Sequence, residues 1–192
     1  MIEEDWKDTI KLFEPNVVRL SEAEQVLVET SGEGEAELHL KLSNPCIVIR
    51  NVDKNPIKIF KNKNCADQIV FEKKEEKWHL HIFEMKKTIN PSKWEMIKKQ
   101  FSGAFLHALA YAGVLGIDFS MENICVYTVY RRVKAVDKTN PVKLHPGLER
   151  EVRKGLLEWE NEKVDLTYIR TYFVRHKKIL LDEESGKGEW SL

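Results

Sequence analysis

Little in this chain suggests an extracellular or membrane protein. Of its 192 residues only three are cysteine, at Cys46, Cys65 and Cys125. They are odd in number and far apart, which excludes a disulfide framework and a CxxC zinc site and fits a reducing cytosol. Each is read as a small buried apolar residue. No apolar run approaches the 18 or so residues that cross a bilayer. The acidic start Met1-Ile2-Glu3-Glu4-Asp5 is not the positive end of a secretory signal, so the expected location is cytoplasmic. There is also no excess of charge of either sign, with 31 Lys and Arg against 31 Asp and Glu. That balance argues against a general nucleic-acid binder.

What is present is a soluble globular composition, 42% apolar and 32% charged, in a chain long enough for one domain, residues 1–192. Charge is unevenly placed. Residues 1–40 carry eleven acids against three bases, residues 58–100 eleven lysines against six acids, and residues 128–180 thirteen bases against seven acids. Such a distribution gives either one phosphate-facing side or solvated surfaces of mixed sign.

The pattern along the chain predicts an acidic N-terminal helical region. Trp6, Ile10 and Phe13 recur at helical spacing before Pro15, and Ser21-Glu22-Ala23-Glu24 resembles a capping box opening a short helix to about Glu29. Strands are expected at Leu38–Leu42, Cys46–Ile49 and Ile57–Phe60. Another pair is expected at Asp67–Phe71 and Trp78–Met85, joined by the charged segment Glu72–Lys77. A long amphipathic helix follows, with Pro91 in its first turn and Gly116 at its end. Its apolar stripe is Trp94, Ile97, Phe101, Ala104, Phe105, Ala108, Ala112 and Leu115. Ile124–Tyr130 reads as a strand and Asn140–Gly147 as a loop. A C-terminal helix-plus-strand extension is expected at Glu149–Glu160 and Tyr168–Leu181, with a fringe from Asp182.

The chemistry concentrates in Trp78–Lys86. Side chains alternate along a strand, so Glu84 and Lys86 share a face with Leu80 and Ile82. A carboxylate and an ammonium at the end of an apolar strand are costly to desolvate unless each has a partner. A second carboxylate from the neighbouring strand, Asp67, would complete a site for a hard cation beside a lysine. His79 and His81 form a His-x-His pair on the other face. No third zinc ligand accompanies them, and they are read as packed or exposed histidines. His107 is read as a satisfied histidine at the edge of the helix stripe. Trp78, Trp94 and Phe101 are read as core.

This order resembles the PD-(D/E)XK nuclease superfamily over roughly residues 57–131. Asn64-Cys65-Ala66-Asp67-Gln68-Ile69-Val70-Phe71 looks like its metal-binding aspartate strand, and His81-Ile82-Phe83-Glu84-Met85-Lys86 looks like its Glu-x-Lys strand end. Gln100 sits where related nucleases carry a helix glutamine. Alanine replaces the proline that the family places before the aspartate. The upstream glutamate has three candidates, Glu14, Glu24 and Glu29, and no unique match. The resemblance implies a restriction-endonuclease-like α+β or α/β fold, a central mixed sheet flanked by helices.

It also implies a Mg²⁺ or Mn²⁺ site formed by Asp67, Glu84 and the Met85 carbonyl, with Lys86 and Gln100 as further catalytic residues. The substrate would be DNA or RNA, with Lys93, Lys98, Lys99, Arg131 and Arg132 gripping phosphates. Bacterial antiviral defence or repair, an ATPase or helicase partner, and pairing of two copies belong to the same expectation. The alternative is a non-catalytic subunit that keeps the nuclease fold as a protein or nucleic-acid binding module.

Overall fold

The computed structural model describes residues 18–21, 24–31, 34–54, 56–57, 60–61, 64–133, 158–167 and 170–192. They form an α+β fold with two mixed or antiparallel sheets and a long helix. The strands are β1 (Val18–Ser21), β2 (Gln25–Ser31), β3 (Gly34–Lys41), β4 (Cys46–Arg50), β5 (Gln68–Lys74), β6 (Lys77–Ile89), β7 (Ile124–Val133), β8 (Lys163–Thr167), β9 (Thr171–Leu180) and β10 (Lys187–Ser191). Helix α1 spans Pro91–Leu115.

The large sheet has the order β1-β4-β5-β6-β7-β9-β8 and the small one β10-β3-β2. β4, β5 and β6 form an antiparallel meander, whereas β6, β7 and β9 run parallel. Parallel neighbours need a crossover, and α1 supplies the one between β6 and β7.

Local chemistry fixes the ends of α1. The Asn90 side chain accepts the Lys93 N–H at 2.9 Å, and Pro91 follows in the first turn. Gly116 closes the helix at φ 66°, a left-handed conformation that glycine adopts without steric cost, with its N–H on the Ala112 carbonyl. All eight stripe residues lie in one core with Ile47, Ile49, Ile69, Phe71, Leu80 and Ile82 of the sheet.

The alternate residues of the same strands face the small sheet. Cys46, Val48, Val70, Phe83 and Met85 pack there with Leu27, Leu38 and Leu40. The Phe83 and Tyr127 rings stack at 4.4 Å in this second core. Because both faces are covered, β4 and the middle of β6 are buried almost without alternation. All three cysteines are free and buried.

Several expectations change. Helices were expected on both sides of the central sheet, but among the described residues a second sheet covers one side. Of the helix expected from Ser21 to Glu29, residues 22 and 23 lie outside the described residues, Ser21 instead ends β1, and Gln25–Glu29 belong to β2. Gln25 and Leu27 are buried while Val26 and Val28 are exposed, a period of two that pairing with β3 reinforces. The tail beyond Asp182 is not a fringe: β10 pairs in parallel with the centre of β3.

Of the expected strand 57–60, residues 58 and 59 lie outside the described residues, and the Phe60 N–H is bonded to the Ile57 carbonyl at 3.0 Å. The segment Glu72–Lys77 is mostly strand, and only Glu75 and Glu76 make the turn. The helix at 3–13 and the loop at 140–147 lie outside the described residues, as does 149–157. Residues 158–160 are helical. No helix among the described residues is long and apolar enough to cross a membrane.

Glu75 and Glu76 have φ of 50° and 62°, a two-residue hairpin turn that places both in the left-handed region. Replacing them with Asn-Gly relieves that strain. The expected gain is about 1 kcal/mol, or a rise of ~2–4 °C in Tm, checked by thermal unfolding of the double variant against wild type. An unchanged or lower Tm would show that the turn is not strained.

Candidate active site

The register of β5 on β6 brings the expected acids together. Gln68 pairs with Phe83 and Ile69 with Ile82, so one further step sets Asp67 across from Glu84. Asp67 Oδ2 accepts the Met85 N–H at 2.6 Å, which ties this carboxylate to the residue after Glu84. The Asp67 carbonyl accepts the Val52 N–H at 3.2 Å, drawing in the turn after β4.

Glu84 is fully buried on the α1 side of the sheet, and its carboxylate forms an ion pair with the Lys86 ammonium. Lys86 Nζ also donates to the Met85 carbonyl at 3.0 Å, and 15% of its side chain reaches solvent. Gln100 reaches the same corner from α1, donating to the Cys65 carbonyl at 3.4 Å in the segment that leads into Asp67. Asp67, Glu84, Lys86 and Gln100 therefore meet at one end of the β5–β6 pair.

Across the sheet, Glu84 pairs in register with Thr128 of β7, and Thr128 with Lys178 of β9. Thr128 is buried and hydrogen-bonds His176 Nε2 at 3.0 Å. His176 is enclosed by the rings of Trp94, Trp159 and Phe101 at 5.0, 5.6 and 6.2 Å. A neutral imidazole thus backs the row that holds the buried carboxylate.

Asp53 is the acid that the sequence did not single out. It sits in the turn that the Val52–Asp67 bond anchors. Burial pushes the Cys65 thiol up, the Ala66 N–H opposes this, and the negative charges of Asp53, Glu84 and Asp67 add to the rise. Three carboxylates thus act on one buried thiol. The only sequence signal for Asp53 is a turn-forming Asn51-Val52-Asp53 after an apolar strand, which is too common to have marked it.

The donor chemistry suits a hard cation. The Lys86 ammonium bridges the Glu84 carboxylate and the Met85 carbonyl, two of the three oxygen donors expected for the metal, so this corner accepts positive charge. Among the described residues, no three His, Cys, Asp or Glu side chains are gathered as a group able to hold a metal ion. Any ion here would rest on Asp67, Glu84 and the backbone carbonyl.

The basic residues divide. Lys99 is exposed and Lys93 half-buried on α1. Lys98 pairs with Glu95 at 2.9 Å and with Glu158 at 2.5 Å. Arg131 donates to the Glu183 and Glu184 carbonyls at 2.5 and 3.0 Å, and Arg132 pairs with Glu183 at 3.7 Å. These three anchor the chain to itself. His79 and His81 face away from Glu84, as expected. His107 is fully buried and satisfied, with Nδ1 on the Gly103 carbonyl at 2.9 Å and Nε2 accepting the Ile57 N–H at 3.0 Å. Trp78, Trp94 and Phe101 are core.

Comparison with protein-family models, with curated proteins and with solved structures yielded no match.

Burial lowers the His176 pKa from 6.5 to about 4, the Asn161 backbone opposing this and the Lys178 charge reinforcing it. The folded state therefore resists protonation. Its contribution to stability is complete above the unfolded value near 6.5 and is lost as pH falls through the folded value near 4. Imidazole NMR titration should show His176 still neutral at pH 5, with unfolding stability declining across this window. A midpoint near 6.5 would show the ring to be solvated.

Proposed function

We propose that this chain is a metal-dependent nuclease that hydrolyses phosphodiester bonds of DNA or RNA, with a restriction-endonuclease-like core over residues 57–131. One observation carries the reading. Two carboxylates and a lysine, Asp67 just before β5 and Glu84 and Lys86 on β6, converge where the β5–β6 pairing ends, with Lys86 bound where a cation would be welcome.

In this reading Asp67, Glu84 and the Met85 carbonyl hold Mg²⁺ or Mn²⁺. The ion supplies Lewis acidity and a bound water of lowered pKa. Lys86 keeps 15% of its side chain in contact with solvent. Exchanging its bond to Glu84 for one to the phosphate, it stabilises the charge that develops as the phosphodiester is attacked. Gln100 orients the attacked phosphate or the water from the α1 side. Lys93 and Lys99 contact the nucleic-acid backbone without reading sequence. Substrate capture at zero net charge calls for a partner, such as an ATPase or helicase, or for a second copy. An effector role in antiviral defence or repair fits such an arrangement.

A second reading has its own observation. The Glu84–Lys86 ion pair already supplies a countercharge within the chain. That self-contained pair suits a non-catalytic subunit that retains the fold as a binding module.

Labelled double-stranded DNA, single-stranded DNA and RNA incubated with Mg²⁺, Mn²⁺ or EDTA separate the two. The nuclease reading expects metal-dependent cutting that falls at least ~100-fold in both Glu84→Gln and Lys86→Ala, a loss of about 2.7 kcal/mol in transition-state stabilisation. Circular dichroism checks that each variant is folded. No cutting of any substrate by wild type would overturn this reading and favour the binding module.

A further inference from the structure

The opposite face of the large sheet carries a feature that the acidic corner does not use. A cleft of about 350 Å³ opens beside the hairpin end of β5 and β6. Register explains its walls. His81 stands beside Cys125 and Cys125 beside Arg175, Tyr127 stands beside Lys177, and Lys74 pairs with Lys77 at the hairpin. All of these groups line the cleft.

Its floor is a closed polar relay. Glu72 accepts from the Asn44 amide at 2.6 Å and from His81 Nε2 at 3.1 Å, and His81 Nδ1 meets the Tyr127 hydroxyl at 3.0 Å. Glu72, His81 and Tyr127 are each less than 10% exposed. The His81 hydrogen bond holds the Glu72 carboxyl below its usual value, so it is ionised and accepts only. His81 then carries its proton on Nε2 and takes the Tyr127 O–H at Nδ1. The Glu72 charge is thereby spent on two donors within the floor.

The rim carries four cations against one exposed carboxylate, Glu75. Among the described residues Lys74, Lys77, Arg175 and Lys177 form no ion pair with a carboxylate. Lys41, Lys73, Lys86, Lys98, Lys178 and Lys187 each do. Lys177 Nζ lies over two rings, 6.0 Å from the Tyr127 centroid and 5.5 Å from that of Trp190, so cation–π attraction holds its charge beside the floor. Arg175 uses one nitrogen on the Glu122 carbonyl at 3.2 Å, leaving other donors of its planar fork. Four cations against one rim carboxylate, around a concave floor whose own carboxylate is hydrogen-bonded, leave a positive potential. A multiply charged anion answers it, and phosphate matches both the guanidinium fork and the ammonium points. The volume lies near the lower end of small-molecule sites and suits a compact ligand more than a polymer. Next to the relay, the His79 ring is half-buried and stacked on His81 at 6.4 Å, a flat surface for a heterocycle.

We propose that this cleft binds a phosphate-bearing small molecule of the nucleotide class. Arg175 and Lys177 grip its phosphates from one wall and Lys74 and Lys77 from the other, and its ring lies on His79. The site is on the face turned away from Glu84 and stands independently of the nuclease reading.

Calorimetric titration of the full chain with pyrophosphate, AMP and ATP at 0.15 M salt tests it. ATP should bind at least about tenfold more tightly than pyrophosphate, since the ring adds contacts. The double variant Arg175→Glu/Lys177→Glu, both at exposed positions, should weaken ATP at least about tenfold. Lys54→Glu/Lys61→Glu makes the same charge change at exposed positions elsewhere and should leave binding unaltered. Failure of all three ligands to bind overturns the proposal. Equal affinity for ATP and pyrophosphate overturns the nucleotide class, and equal loss in both double variants reduces the effect to general surface charge.

Discussion

A carboxylate held out of water in the middle of a sheet is the constraint on which this architecture turns. Removing Glu84 from solvent costs several kcal/mol that only a countercharge and hydrogen bonds can offset. Lys86 supplies the countercharge from two residues along the same strand, which keeps both groups on one face whatever the neighbouring strands do. The Asp67 carboxylate then ties the start of β5 to the backbone between them. The polar corner is thus built from strand geometry, and α1 covers the same face with Trp94, Ile97 and Phe101.

The two sides of β6 divide the labour. One side packs on a helix and ends in the acid–lysine corner, and the other packs on the small sheet and ends in the histidine–tyrosine relay. Sidedness follows from residue parity alone: Leu80, Ile82, Glu84 and Lys86 against His79, His81, Phe83 and Met85. A strand buried on both sides can serve two sites at opposite faces with no residue shared between them.

What the sequence made legible was local. The Asn90-Pro91 start and Gly116 end of α1, its stripe, and the β5–β6 hairpin with Asp67 facing Glu84 all depend on residues within about twenty positions of one another. What it hid was distant or overridden. The capping-box pattern at Ser21-Glu22-Ala23-Glu24 lost to pairing with β3, which rewards the alternation of Gln25 and Leu27 with Val26 and Val28. The bonds of Lys98, Arg131 and Arg132 to Glu158, Glu183 and Glu184 were not legible because these partners lie some fifty or more residues further on. Asp53 reaches the acidic corner only because a backbone bond from Val52 folds its turn against Asp67.

The pairing of β10 with β3 has a consequence for how the protein is made. Lys187 meets Glu37 and Trp190 meets Leu40, so the central strand of the small sheet takes its second neighbour from about 150 residues downstream. At ribosomal speeds of about 5–20 residues per second, β3 emerges roughly 8–30 s before that neighbour exists. Throughout that interval one edge of β3, rich in leucine, has open backbone groups, the template on which strands of other chains add. Biosynthesis therefore sets a window in which that edge stands open, and it closes when β10 has emerged and paired.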